Sequence, residues 1–196
     1  MNFARQSIRM SLDDHTQREV LRQARDVIRQ APLVRPRTNG GRAMRVRVSC
    51  AGELGWVGDG AYRYSPTQRD GKPWPSMPML WAQIADDACG KHHEWDSAII
   101  NWYEPDAALG WHVDRAEKRR TFPIVTMSLG DAASWAVRIP REEDVHRCRL
   151  ESGQVTVLDG HLRHASHTIE RIIAAPLLSP LGTTRGRVSI TLRVAG

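Results

Sequence analysis

Apolar positions fall into two textures along the chain. In residues 12–30, Leu12, Val20, Leu21, Val27 and Ile28 recur near helical spacing. Asp13 and Asp14 stand where a first helical turn favours acids. This predicts an amphipathic helix that ends at "QAPLVRP". The alternation of Met44, Val46 and Val48 with arginines, behind a Gly-Gly turn, predicts a strand. Residues 51–78 are rich in Gly, Pro, Trp and Tyr and read as hairpin and loop. "MPMLWAQIADDACG" predicts a second helix, with Leu80, Ile84 and Ala88 on one face and Gly90 as its stop. From Asp96 onward the pattern becomes short β-rich runs separated by turn residues: "SAIINWYE", "IVTMSLG", "SWAVRI", "HRCRLES", "QVTVLDG", "RIIAA" and "RVSITLR". Strands at such spacing indicate a sandwich or barrel. The plan is a front half of helices and loops, then an all-β back half.

Composition adds bounds. The 196 residues can form one sizeable core, and 41% hydrophobic with 26% charged residues is ordinary for a globular protein. No apolar run approaches the roughly 20 residues of a membrane span, and the first residues lack the apolar centre of a secretory signal. A cytoplasmic protein without membrane association is expected. The three cysteines, Cys50, Cys89 and Cys148, are far apart and form no CxxC, which argues against a disulfide framework or thiolate zinc site. Net charge is +6, carried almost wholly by arginine. Such charge fits attraction to a polyanion, but equally a genome rich in arginine codons.

Candidate chemistry lies in the β half. If extended, His112-Val-Asp114 puts both polar side chains on one face, within reach of one metal ion. A third ligand must come from elsewhere, and two imidazoles plus one carboxylate make the facial triad of non-haem Fe(II) oxygenases. "LDGHLRHASHTI" offers His161, His164 and His167, and spacing does not choose among them. In "RVSITLR", Arg187, Ser189, Thr191 and Arg193 share one face while Val188, Ile190 and Leu192 share the other. The apolar face suits a core wall. The two arginines, roughly 20 Å apart at Cα, could lean together to grip a short dicarboxylate through forked hydrogen bonds.

"GELGW", "YRYSP", "KPWPSMP", "INWYEPDAALGWHVD", "PIVTMSLG" and "RVSITLR", in this order, resemble the AlkB family of Fe(II)- and 2-oxoglutarate-dependent nucleic-acid dealkylases, bacterial type. The resemblance implies a mainly β fold with N-terminal helices: a double-stranded β-helix (jelly-roll) core covered by a nucleotide-recognition lid. It places helices and lid in residues 1–95 and the catalytic core in 96–196, one structural unit overall. It implies Fe(II), 2-oxoglutarate and O2 as cofactor and co-substrates. The metal triad becomes His112, Asp114 and His167, the last because it opens the "HTI" similar to the family's distal-histidine segment. Arg187 with Tyr103 is implied at the distal carboxylate of 2-oxoglutarate, and Arg193 with Asn101 near the metal-chelating end. Ser189 and Thr191 lie between them on the same strand face.

Trp56 falls where the family stacks an aromatic on an extruded base, and Tyr62 and Tyr64 where it meets the substrate backbone or closes the pocket. Arg115, Lys118 and Arg119 stand near where it places phosphates. The implied activity oxidises 2-oxoglutarate to succinate and CO2 while hydroxylating an alkyl carbon on a base nitrogen, which then leaves as an aldehyde. The implied partner is alkylated DNA, single-stranded or duplex, acted on by a monomer. RNA or protein demethylation and a non-catalytic nucleic-acid binder are the alternatives. Two departures bear on the base: Ala116 replaces an acid found after HxD in many bacterial members, and Leu158 replaces an aromatic. Glu117 remains one residue later, facing the other way unless a turn reorients it.

Overall fold

The computed structural model describes residues 3–174 and 185–196. The last residue of the predicted run at 171–175 lies outside them. The elements are α1 (Phe3–Ser7), β1 (Ile8–Ser11), α2 (Asp14–Gln30), β2 (Val46–Gly52), β3 (Gly55–Gly58), β4 (Tyr62–Ser65), α3 (Met79–Cys89), β5 (Ser97–Tyr103), β6 (Leu109–His112), β7 (Ile124–Gly130), β8 (Ala132–Arg138), β9 (Val145–Leu150), β10 (Gln154–Leu158), β11 (Ser166–Ile173) and β12 (Arg187–Arg193). A short 3₁₀ turn spans Gly160–His164.

Both expected helices form. Asp13 caps α2, its carboxylate accepting the Thr16 N–H at 2.7 Å, a contact worth about 1 kcal/mol. Gly90 ends α3 in the left-handed conformation at φ 64°, which glycine adopts without strain. The buried face of α2 (Val20, Leu21, Ala24, Val27) and that of α3 (Trp81, Ile84, Ala85, Ala88) join one apolar cluster.

Two antiparallel sheets oppose each other, in the orders β1-β10-β7-β12-β5-β2 and β6-β11-β8-β9. This is the jelly-roll barrel. The six-stranded sheet carries α2 and α3 on its outer face, through Ile100, Trp102, Val125, Met127, Val188, Ile190 and Leu192. Fully burying each such side chain contributes about 1.5–3 kcal/mol. Its inner face, with Val48, Ile99 and Tyr103, meets Trp135, Val137 and Ile169 of the smaller sheet. β2 pairs with β5 along its whole length, Val46 opposite Tyr103 through Gly52 opposite Ser97. The expected division at residues 95 and 96 therefore runs between two strands of one sheet.

β3 and β4 form a separate hairpin. Trp74 fastens it: the indole N–H donates to the Ser65 carbonyl at 2.9 Å, and the ring lies so close over Gly55 that a Cβ there would fall 2.1 Å from it. Among the described residues no helix is long and apolar enough to cross a membrane.

Candidate active site

β6 and β11 are antiparallel neighbours, and their register sets His112 opposite His167. The chain leaves β6 after His112, and Asp114 turns in beside both rings. One ligand atom from each of the three residues lies within 4.8 Å of the others, the grouping of this kind found among the described residues. His112 Nε2 is 4.0 Å from Asp114 Oδ1, and His167 Nε2 is 3.7 Å from Oδ2. Each imidazole Nδ1 faces a backbone carbonyl, Gly110 at 2.8 Å for His112 and Ala165 at 3.2 Å for His167. A carbonyl only accepts, so Nδ1 carries the proton and the Nε2 lone pairs point at one another and at the carboxylate. That is the tautomer a metal ligand needs. Burial, then the neighbouring His112, pull the His167 pKa down to about 4, so it is neutral near pH 7. Burial alone would raise the Asp114 carboxyl, but Arg193 above all, with His167, His112 and Arg163, holds it well below the ordinary range. His161 and His164 sit exposed on the 3₁₀ turn and do not join the cluster.

Inward-facing residues of β12 share a cavity of about 760 Å³ with the triad. Arg187, Ser189, Thr191 and Arg193 all line it, while Val188, Ile190 and Leu192 pack against the helices. Arg187 is 1% exposed, and its hydrogen-bond partners are uncharged: Ser128 Oγ at 2.7 Å and the Asp131 carbonyl at 3.4 Å. Burial pulls its pKa down to about 10. The Nε atoms of Arg187 and Arg193 are both buried without a hydrogen-bond partner. Arg193 is compensated by Asp114 and Glu117, but a buried cation held as Arg187 is costs several kcal/mol, roughly, unless an anion joins it. The donor set fits the ends of a dicarboxylate.

Tyr103 stands opposite Arg187 and Asn101 opposite Ser189, and both line the cavity. Asn101 thus lies between the arginines, while Ser97 is the residue across from Arg193.

Sequence reasoning left Glu117 open and missed Arg163. After Asp114 the chain turns and buries Glu117 at 3% exposure. Its carboxylate accepts from Arg193, from Arg163 at 3.2 Å and from the Tyr64 hydroxyl at 3.0 Å. Arg193 also donates to Asp114 at 2.9 Å. Arg163 ties this turn down through the Asp114 and Phe122 carbonyls. The network therefore links the carboxylate of the His-Asp-His cluster to Tyr64 of the hairpin. Nothing in the local sequence distinguishes Arg163 from the chain's other arginines.

Glu117 yields a pH-dependent test. Burial would raise its carboxyl, yet Arg193 and Arg163 hold it below the ordinary 4.5. Its contribution is therefore present above pH 4.5 and lost as pH falls below it. Glu117→Gln is expected to cost about 3–5 kcal/mol at neutral pH, leaving buried arginines undercompensated. This lowers Tm by about 10 °C. The deficit should shrink on acidification. Thermal unfolding of both proteins across this range checks it; a pH-independent deficit rules the ion pair out.

The remaining expected residues divide. Trp56 and Tyr62 line the mouth of the cavity, their ring centroids 5.2 Å apart. Tyr64 is held in the Glu117–Arg193 network and does not line it. Arg115 and Ala116 line it, whereas Lys118 and Arg119 are exposed on the following turn, outside its lining. Leu158 is part of the wall. Trp111 is 39% exposed and also lines the cavity, with the Arg138 guanidinium 4.4 Å from its ring centroid.

A family model, the 2OG-Fe(II) oxygenase superfamily, matches residues 6–193. The "Alpha-ketoglutarate-dependent dioxygenase AlkB homolog" of Caulobacter vibrioides is 36% identical over 191 residues, covering 94% of this chain and 84% of its own length. The mouse "Nucleic acid dioxygenase ALKBH1" is 32% identical over 107 residues, 53% of this chain and 27% of its own. The solved "structure of OsALKBH1" shares the fold, with a TM-score of 0.82 at 22% identity over 95% of both chains. The match of nearly the whole chain, with a His-Asp-His cluster at the centre of a jelly roll, places this protein in the AlkB family of Fe(II)- and 2-oxoglutarate-dependent dioxygenases.

Proposed function

We propose that the protein is an oxidative dealkylase of nucleic-acid bases, acting on alkylated DNA or RNA. His112, Asp114 and His167 hold Fe(II). Arg187, held by Ser128 and flanked by Tyr103, takes one carboxylate of 2-oxoglutarate, and Arg193 orients the end nearer the metal. When bound, the iron supplies the activation of O2 that oxidises both 2-oxoglutarate and the alkyl carbon. The protein's part is to bind, orient and exclude water.

One observation carries this reading: a single cavity joins the triad, both arginines and the Trp56–Tyr62 pair. A base alkylated on its pairing edge is unreachable inside a duplex and must be extruded or met in a single strand. The aromatic pair gives it a face to stack on, and the arginine-rich surface attracts the backbone. The relative named a nucleic acid dioxygenase supports the same substrate class. Incubating methylated single-stranded DNA, duplex DNA and RNA with enzyme, Fe(II), 2-oxoglutarate and ascorbate, read by mass spectrometry, tests it. Loss of the methyl mass from at least one substrate is expected; consumption of 2-oxoglutarate with every oligonucleotide unchanged overturns it.

Trp56→Ala is expected to raise the oligonucleotide KM about tenfold or more, since base stacking contributes roughly 1–3 kcal/mol. The KM for 2-oxoglutarate should stay put. Steady-state kinetics with each substrate varied in turn separates the two; equal changes in both would remove Trp56 from base recognition.

A further inference from the structure

The cavity that would take the base carries a charge pattern the chemistry above does not use. Among the described residues lining it, Asp114 is the one carboxylate. It is already committed, to Arg193 at 2.9 Å and to the space between two imidazoles. Glu117, three residues on, is outside the cavity lining and occupied by Arg163, Arg193 and Tyr64. Between Arg115 and Glu117 the chain offers the cavity only the methyl of Ala116. The mouth is basic: Arg42, Arg45 and Arg115 all line it. Arg45 pairs with Asp106, but no ion pair engages Arg42 or Arg115 among the described residues.

Loading the site does not reverse this balance. A divalent ion and a dicarboxylate cancel each other, leaving Asp114 against the buried Arg187 and Arg193. A base entering here sheds hydration and meets aromatic faces, aliphatic walls and cations. For a neutral base that exchange costs little. A cationic base gives up its water without gaining a carboxylate.

We propose that this cavity selects uncharged alkylated bases over cationic ones, with Ala116 as the position that sets the preference; the inference rests on the nucleic-acid reading above. The distinction follows from where the alkyl group sits. A methyl on N3 of cytosine or N1 of adenine leaves the ring positively charged near neutral pH. A methyl on N3 of thymine or N1 of guanine replaces a ring proton and leaves the base neutral. Selection works as much by the mismatch presented to the wrong substrate as by attraction to the right one.

3-Methylcytosine and 3-methylthymine have similar rings that differ at C4, in the thymine C5 methyl and in charge, and 3-methyluracil in the same sequence controls for that methyl. Placed in one single-stranded sequence, they share every backbone contact. Binding is measured by fluorescence anisotropy with the Fe(II)- and 2-oxoglutarate-loaded enzyme under anaerobic conditions, and kcat/KM in air. The 3-methylthymine strand is expected to bind and react about five- to tenfold better, the scale of one charge interaction at a partly exposed site. Raising the pH from about 7 to about 9 should narrow the gap, because only the cytosine lesion loses its charge. Ala116→Asp should narrow or invert it, and Arg115→Gln should shift it the same way. The Arg115 variant, with loading checked by the charge-transfer band, decides the matter if the aspartate disturbs folding. Equal or better use of 3-methylcytosine by wild type, with a ratio unmoved by either variant, overturns the proposal. If neither lesion binds or reacts while 2-oxoglutarate is still consumed, the nucleic-acid reading falls and the proposal with it.

Discussion

Replacing Arg187 by methionine is expected to raise the 2-oxoglutarate KM about a hundredfold, since losing one partner of a buried charge pair costs roughly 2–5 kcal/mol. Arg187 lacks a charged hydrogen-bond partner. It is 1% exposed, its partners are a hydroxyl and a carbonyl, and its Nε–H has none. Such a cation is a net cost to the fold until an anion arrives. Methionine fills similar space without the charge. Swapping a poorly compensated buried ion for an apolar side chain is often neutral or stabilising. The unliganded variant should therefore melt at the wild-type temperature or above it. The stabilisation that wild type gains on adding 2-oxoglutarate should vanish, because that gain measures preferential binding to the native state. Thermal unfolding with and without 2-oxoglutarate, beside steady-state kinetics, separates this from a structural role. A variant that melts lower yet keeps its 2-oxoglutarate-induced shift would show that Arg187 supports the sheet and does not bind the co-substrate.

The parts of this site legible in the sequence are those that depend on local periodicity. Strand alternation alone put Arg187, Ser189, Thr191 and Arg193 on one face, and the structure turns that face into the cavity. The helices α2 and α3 were equally legible, because Asp13 and Gly90 mark their ends chemically. Pairings between distant strands were not. The choice of His167 over His161 and His164 depends on the register that sets it opposite His112, a contact across 55 residues of sequence. Spacing carries no such information, and the family resemblance supplied it. α1 and β1 are not legible for a related reason: "FARQS" and "IRMS" are too short to show a period. β1 exists because it pairs with β10. Glu117 is the most instructive case. An extended reading turns it away from the site, whereas the real turn after Asp114 brings it under Arg193, where Tyr64 and Arg163 also reach it. A buried network is assembled by the whole fold, and no window of ten residues contains it.

Asp114→Ala is expected to reduce 2-oxoglutarate turnover by metal-supplemented enzyme to background, the largest effect foreseen in this protein. Asp114 does two things at once. It is the one carboxylate among the three clustered ligand atoms, and it accepts from Arg193 at 2.9 Å. Its loss leaves two imidazoles, which bring no negative charge to a divalent ion. Perturbing a residue that merely supports a ligand costs about 10–100-fold in metal affinity, so deleting the ligand should cost more. Stability should fall less than for Glu117→Gln, because Arg193 keeps Glu117 when Asp114 is gone, whereas Arg163 loses its carboxylate when Glu117 is neutralised. The two variants thus pull affinity and stability apart. Asp114→Ala should fold and fail to hold metal; Glu117→Gln should hold metal and unfold earlier. Chelator competition reports the first quantity and calorimetry the second. Asp114→Asn refines the test by keeping the shape without the charge: metal binding near the alanine level shows that the charge is what the site requires. Full turnover by iron-loaded Asp114→Ala would remove Asp114 from the metal site, and the triad with it.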